Sequence, residues 1–257
     1  NQLRMLPFLH RLTGNPDLCS YGIASHDRRR SQPTKPAPSP RLTLKLLGNY
    51  DLCFGLEASH QLAIGAMSMS MLQGVAPNGP EMKRYVNEFL RMLIAHEVGH
   101  TLGLRHNFRA SAMLSPADLN NLAITRRKGL VGSVMDYSAV NLAPPGTTQG
   151  DYFTQTVGPY DAWAIAYGYT PADPTAPLAE TRLLESIARR APEPDLTYAT
   201  DEDTFAHLDP LVNRFDLSSD LLTYAPWQFE NARQMWQRLE QGYPRQGESF
   251  SEVRTMF

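Results

Sequence analysis

His96-Glu97-Val98-Gly99-His100-Thr101-Leu102-Gly103-Leu104-Arg105-His106 is the stretch on which the reading of this 257-residue chain turns. A helix advances 100° per residue, so His96 and His100 lie one turn apart on one face. Their imidazoles can meet a single ion at about 2.0–2.1 Å, the ordinary zinc–nitrogen distance. Glu97 directly follows the first of them. It is placed poorly for a ligand and well for reaching a water beside the metal, whose pKa zinc lowers to about 7. A carboxylate there can take a proton from the attacking water and return it to a leaving amine. His106 cannot come from a straight continuation of the helix, because six residues past His100 point away from the ligand face. The chain must break and turn back, and Gly103 supplies the left-handed backbone for it. Three histidines leave one tetrahedral position open, the catalytic arrangement of zinc. Ordinary residue frequencies put a chance match to all five fixed positions at roughly one in 10^5 for a chain this long.

The surrounding sequence specifies a helix from about residue 81 to about residue 103. Pro80 follows Asn78-Gly79 and suits a first turn. Glu81 adds negative charge at the positive end of the dipole. Met82, Tyr85, Val86, Phe89, Leu90, Met92, Leu93 and Ile94 then recur at helical spacing, which predicts a largely buried helix.

Further on comes Ser133-Val134-Met135-Asp136-Tyr137. With the upstream motif it resembles the metzincin metallopeptidases, which carry the long H-E-x-x-H-x-x-G-x-x-H signature and a methionine turn beneath the zinc. The S-x-M-x-Y form is similar to that of the astacin and serralysin branches. The resemblance implies that His96, His100 and His106 bind one Zn2+ ion, that Glu97 is the general base, and that Met135 floors the site as a soft apolar support. It implies that Tyr137 donates to the oxyanion or swings in as a fifth ligand. A packed aromatic with a local hydroxyl bond is the alternative for Tyr137. The residue after the third histidine, Asn107, fits neither astacins, matrix metallopeptidases, adamalysins nor serralysins. HEVGHTLGLRHNFRAS, LSPADLN, GLVGSVMDYSAVNLAPPG and GDYFTQTVGPYDAWAIAYGY together resemble a bacterial group of large zinc metallopeptidases whose catalytic part is the Met-zincin domain. The similarity runs from about residue 57 to about residue 242. It implies an α+β, helix-rich zincin fold with a helical C-terminal subdomain, and a secreted or periplasmic location.

A formal net charge of −2 gives no reason to invoke nucleic acid or an anionic membrane. No apolar run approaches a membrane span. The first residues do not make a signal peptide, since Leu6, Phe8 and Leu9 are too few and His10-Arg11 ends them. The chain starts at Asn1 and reads as a piece of a longer protein. Cys19 and Cys53 pair in an oxidising compartment or stay free. Residues 1–40, with His26-Asp27-Arg28-Arg29-Arg30 and then Pro33, Pro36, Pro38 and Pro40, read as an irregular segment and linker. Residues 41–257 read as the catalytic domain, its upper part reaching about residue 106 and its helical subdomain spanning about 107–257. Leu42, Leu44 and Leu46 alternate with Thr43 and Lys45, which predicts a short strand.

Leu56 to Leu72 predicts a helix with Leu62, Ala63, Ala66, Met67 and Met71 on one face. Ser115-Pro116-Ala117-Asp118 predicts a helix start. A short apolar helix is expected over 158–168, with Asp161 as an ordinary first-turn acid, and an amphipathic one over 177–190. Thr200-Asp201-Glu202-Asp203 predicts a capped helix start, because it lacks the spaced oxygens and glycine of a calcium loop. A last helix is expected around Trp227 to Leu239.

These readings converge on a zinc endopeptidase acting on a peptide or protein substrate. Leu142, Pro144 and Pro145, after the methionine turn, would wall the pocket for the side chain following the scissile bond. A metzincin holds substrate on an edge strand ahead of the zinc helix. Only Leu42 to Leu47 offers one, separated from that helix by another. The alternative is a zinc-stabilised domain that binds peptides or a partner without cleaving them, and a third reading is hydrolysis of a non-peptide amide or ester. The oligomeric state is open.

Overall fold

The computed structural model describes residues 51–171, 175, 179–206 and 208–242. Residues 1–61 and 62–257 form two compact units. The expected N-terminal segment and linker and the strand at Leu42–Leu47 lie outside the described residues, as does Cys19. The long helix α1 (Asp51–Gln73) begins in the first unit and, from Leu62 on, belongs to the second.

The second unit is helical. In chain order it holds the rest of α1, then α2 (Pro80–Thr101), a 3-10 turn at Ala110–Met113, α3 (Leu122–Lys128) and α4 (Pro159–Tyr169). These are followed by α5 (Ala179–Ala188), a 3-10 turn at Pro194–Leu196, α6 (Asp201–Ala206) and α7 (Leu221–Gly242). No β-strand occurs among the described residues, so they are helix-rich and supply none of the β part of the expected α+β class. Extended stretches do run beside one another, as where Asn141 N–H donates to Tyr152 O (2.9 Å) and Phe108 N–H to Ala199 O (2.7 Å). They meet through single bonds rather than ladders.

Side chains do what ladders would do elsewhere. Residues 129–142 and 150–154 are almost wholly buried yet irregular, and a buried backbone must find hydrogen-bond partners. Glu88, on α2, accepts from Tyr152 N (2.7 Å) and Phe153 N (3.4 Å). Asn141 Nδ2 donates to Leu119 O and Asp151 O. Asp151 takes Thr125 Oγ1 and is flanked by Arg126 and Arg84. Two apolar clusters fill the remaining space. One is aromatic, Tyr85, Phe89, Tyr152 and Phe153, with ring centroids 5.2–5.6 Å apart. The other joins Leu114, Leu119, Leu130, Val131, Ala139, Leu217 and Tyr224.

Three helical expectations shift. On α1 the inward face carries Gly65, Ser68 and Met69, while Ala63 is exposed. The reason is Tyr85, whose hydroxyl donates to Leu62 O (2.9 Å) and whose ring covers Gly65 so closely that a Cβ there would collide with it. Ser115–Asp118 is a turn, closed by Asp118 N to Ser115 O (3.0 Å), and the helix starts later, with Asn121 Oδ1 capping Ala123 N. Leu119, fully buried, draws the chain inward before a helix can begin. The last helix starts earlier than expected, at Leu221, because Asp220 takes Thr223 N and Thr223 Oγ1.

Candidate metal centre

Helix α2 turns Met82, Tyr85, Glu88, Phe89, Met92, His96 and Gly99 inward, and Ile94 and Val98 stay exposed, so it is amphipathic rather than buried all round. It ends in a Schellman motif. Gly103, at φ +83°, donates to His100 O (2.9 Å), and Leu104 N reaches back to Gly99 O (3.1 Å). That reversal brings His106 back over the helix. His96, His100 and His106 each then offer a ring nitrogen within 4.8 Å of the other two.

Each ring is oriented through its other nitrogen. His96 Nδ1 lies 2.8 Å from Val134 O, His100 Nδ1 lies 3.0 Å from Leu104 O, and His106 Nδ1 lies 2.8 Å from Asp201 Oδ1. Carbonyl and carboxylate oxygens only accept, so in the neutral rings each proton sits on Nδ1 and each Nε2 keeps a lone pair. His96 Nε2 and His100 Nε2 are 3.1 Å apart. Two lone pairs at that distance repel unless a cation lies between them, and nitrogens bound tetrahedrally to one zinc are about 3.3 Å apart. The donor set thus fits a zinc ion. Tyr137 is buried, its hydroxyl 3.0 Å from His106 Nε2 and its ring edge-on to the imidazole at 4.7 Å. With the Nδ1 proton committed to Asp201, the tyrosine is the donor in that bond. Glu97 is exposed on the turn beside buried His96.

Against α2 lies the buried Ser133–Tyr137 turn, which reaches His96 through Val134 O. Met135 is fully buried, and a Cβ on Gly99 would overlap its sulfur. A glycine inside a helix costs about 1 kcal/mol relative to alanine, and here it makes room for that thioether against the helix. The turn is clamped by Asp161. Its Oδ1 accepts from Ser133 Oγ (2.5 Å), and its Oδ2 accepts from Val134 N and Gly158 N (2.8 Å each). Burial pushes the Asp161 carboxyl upward despite these three donors. The expected first-turn acid of α4 is therefore also the residue that fixes Val134, whose carbonyl orients His96.

Three further residues bear on the site. Asp201 is read from sequence only as a helix-start acid, and Thr200 N does cap onto Asp203 Oδ2 (2.8 Å). Its own carboxylate holds His106. Burial would raise that carboxyl, but the His106 hydrogen bond and Arg105 bring it below the usual range. Asn107 is buried and bonds on every side: its N–H to Met135 O, its Nδ2 to Thr197 O (3.0 Å), and its Oδ1 from Ala199 N (3.2 Å). Gly99 carries a usable signal, since a mid-helix glycine marks a close approach. Nothing local marks Asp201, which lies 95 residues from the histidine it holds.

Behind the turn, buried Asp136 and half-buried Asp216 form an acid pair around Ser111. Asp136 Oδ2 accepts from Ser111 N (2.6 Å), and Asp216 Oδ1 from Ser111 Oγ (2.8 Å). Burial, with Asp216 nearby, pushes the Asp136 carboxyl well up, and burial pushes Asp216 to about 6. Of the expected pocket residues, Leu142 is buried with its carbonyl 3.4 Å from Asn231 Nδ2, Pro144 is half-buried and Pro145 exposed. No described helix is long and apolar enough to cross a membrane.

A family model described as Met-zincin matches residues 78–257. No curated protein and no solved structure matches the chain.

Proposed function

Because the chain belongs to the Met-zincin family over residues 78–257, we propose that it is a zinc-dependent endopeptidase. The observation that carries this reading is the clustering of three histidines, each with a ring nitrogen within 4.8 Å of the other two and each with its Nδ1 held by an oxygen acceptor. His96, His100 and His106 would hold one zinc ion, which would supply Lewis acidity toward the scissile carbonyl and the attacking water. Val134 O, Leu104 O and Asp201 keep the three rings aimed. Met135, seated against Gly99, supports the site from below. Glu97 takes a proton from the attacking water and delivers it to the leaving amine nitrogen. The Tyr137 hydroxyl, which donates to His106 Nε2 here, would give up that bond where Nε2 takes the ion and donate to the oxyanion instead.

Leu142, Pro144 and Pro145 wall the pocket that receives the side chain after the scissile bond. This reading implies a secreted or periplasmic location in a bacterium.

The test is casein digestion by the parent and Glu97→Gln, with zinc content measured on both. The variant keeps stoichiometric zinc and loses about 10^2–10^4-fold in rate, the usual worth of a positioned base. Equal cleavage by the variant overturns the role of Glu97. A parent that binds zinc but shows no chelator-sensitive cleavage supports the other reading, a zinc-stabilised peptide- or partner-binding domain.

A further inference from the structure

The third ligand differs from the other two in what holds it. His96 and His100 are fixed by a helix and by backbone carbonyls close to the motif or in the methionine turn. His106 lies beyond the end of α2, and its immediate neighbours all grip one distant segment. Arg105 reaches Glu202 (2.8 Å) and Asp201 (3.5 Å). His106 Nδ1 meets Asp201 Oδ1 at 2.8 Å. Asn107 exchanges bonds with Thr197 O and Ala199 N, and Phe108 N donates to Ala199 O at 2.7 Å. Four consecutive residues, 105–108, are thus tied to residues 197–202.

That segment is a strap anchored on the same framework as the methionine turn. Tyr198 stacks on Tyr160, with centroids 5.4 Å apart and rings 11° from parallel, and Tyr160 precedes the clamp residue Asp161 in α4. Asp195, just ahead of the strap, pairs with Lys128 at 2.8 Å, and Leu196 is buried. The strap holds its carboxylate against the ring from a fixed position.

We propose that Asp201 is the positioning residue of the third metal ligand, and that docking of the 197–202 strap and occupation of the metal site are one coupled equilibrium. The inference rests on the zinc-site reading above. The carboxylate fixes the His106 tautomer, so that Nε2 presents its lone pair, and makes the ring a stronger donor. An ion held by His106 in turn polarises Nδ1–H and tightens its bond to Asp201, which pulls the strap down. An undocked strap leaves His106 on a chain end that α2 alone does not aim.

The experiment measures zinc affinity of the full chain by competition with a chromophoric chelator, for the parent, Asp201→Asn, Asp201→Ala and Glu202→Gln. A lost outer partner of a ligating histidine usually weakens metal binding 10–100-fold. Asp201→Ala should fall in that range, and Asp201→Asn, which can still accept from Nδ1 but without charge, should fall less. Glu202→Gln removes only an exposed ion pair and should stay within about threefold. Cobalt loaded in place of zinc should show an altered visible spectrum in the Asp201 variants and an unaltered one in Glu202→Gln, a readout that a merely structural role would not move. Hydrogen exchange on the parent needs no variant: stripping the metal should speed exchange over 197–202 and at Phe108, and leave Tyr152, bonded to Glu88, unchanged. Affinity and cobalt spectra in the Asp201 variants equal to the parent's overturn the positioning role, and strap exchange indifferent to zinc overturns the coupling. A parent that binds no zinc overturns the underlying site reading instead, so the failures are distinguishable.

Discussion

Replacing Gly99 by alanine sets two well-understood effects against each other in sign. In an ordinary helix interior the change stabilises by about 1 kcal/mol, since alanine loses less backbone entropy. At Gly99 the added Cβ overlaps Met135 Sδ and comes 3.5 Å from its Cε and 3.7 Å from Leu104 Cδ1. Met135 is fully buried, so it has no open side to retreat to. Overpacking of a close-packed interior costs about 1–3 kcal/mol, and full burial argues for the upper half of that range. The net expectation is a loss of about 1–2 kcal/mol. A domain of this size shifts by about 2–4 °C per kcal/mol, so Tm falls by roughly 2–8 °C where propensity alone would raise it.

The assay is thermal unfolding followed by circular dichroism at a fixed excess of zinc, because a ligand that binds only the folded state raises Tm by mass action. A second variant isolates the contact. With Met135→Ala already present, the space under Gly99 is open, and adding Gly99→Ala should now stabilise by about 1 kcal/mol. The coupling energy is then about 2–3 kcal/mol, large for a pair so far apart in sequence but normal for side chains in contact. A Tm that rises in the single variant, or a cycle that closes to zero, refutes the seating of Met135 under the zinc helix and the explanation of Gly99 with it.

Asp161→Ala leaves Ser133 Oγ, Val134 N and Gly158 N without their acceptor in a buried setting, and each orphaned group costs about 1–3 kcal/mol. The loss should exceed about 4 kcal/mol by chemical denaturation, whereas Asp161→Asn, which can still serve two of the donors, costs about 1–2 kcal/mol; equal losses would refute the clamp. Asp216, at about 6 when folded against 3.8 in its ordinary state, ionises first in the unfolded chain. The stability of its neutral form is therefore fully present below about pH 4 and lost as pH rises to about 6, at most about 3 kcal/mol in all. Asp216→Asn keeps the acceptor for Ser111 Oγ and removes this decline, so the difference in Tm between variant and parent should grow across that window and then level. A difference that is flat in pH refutes the raised carboxyl.

Much of the centre is written locally. The spacing of His96, His100, Gly103 and His106 follows from helix geometry and from the one left-handed residue that ends α2, and neither depends on the rest of the fold. The α2 and α4 starts at Pro80 and Pro159, and the helix at Asp201, are likewise set by caps and prolines within a few residues. Where the reading slipped, a distant contact overrode a local one. Tyr85 turned the inward face of α1 toward Gly65 and Met69, and burial of Leu119 delayed the helix expected at Ser115.

The sequence by itself determined which atoms could bind a metal, because three of the constraints lie within eleven residues and one regular element. Only the tertiary structure decided what keeps those atoms aimed. Val134 is 38 residues from His96, Asp201 is 95 from His106, and Asp161 is 28 from Ser133. Such partners carry no periodicity and no local signature, since an aspartate at a helix start looks the same whether or not its carboxylate reaches an imidazole. Burying an irregular turn creates a demand for acceptors that short-range chemistry cannot meet, and folding meets it with Asp161, Asn107 and Asp201, brought from three separate segments.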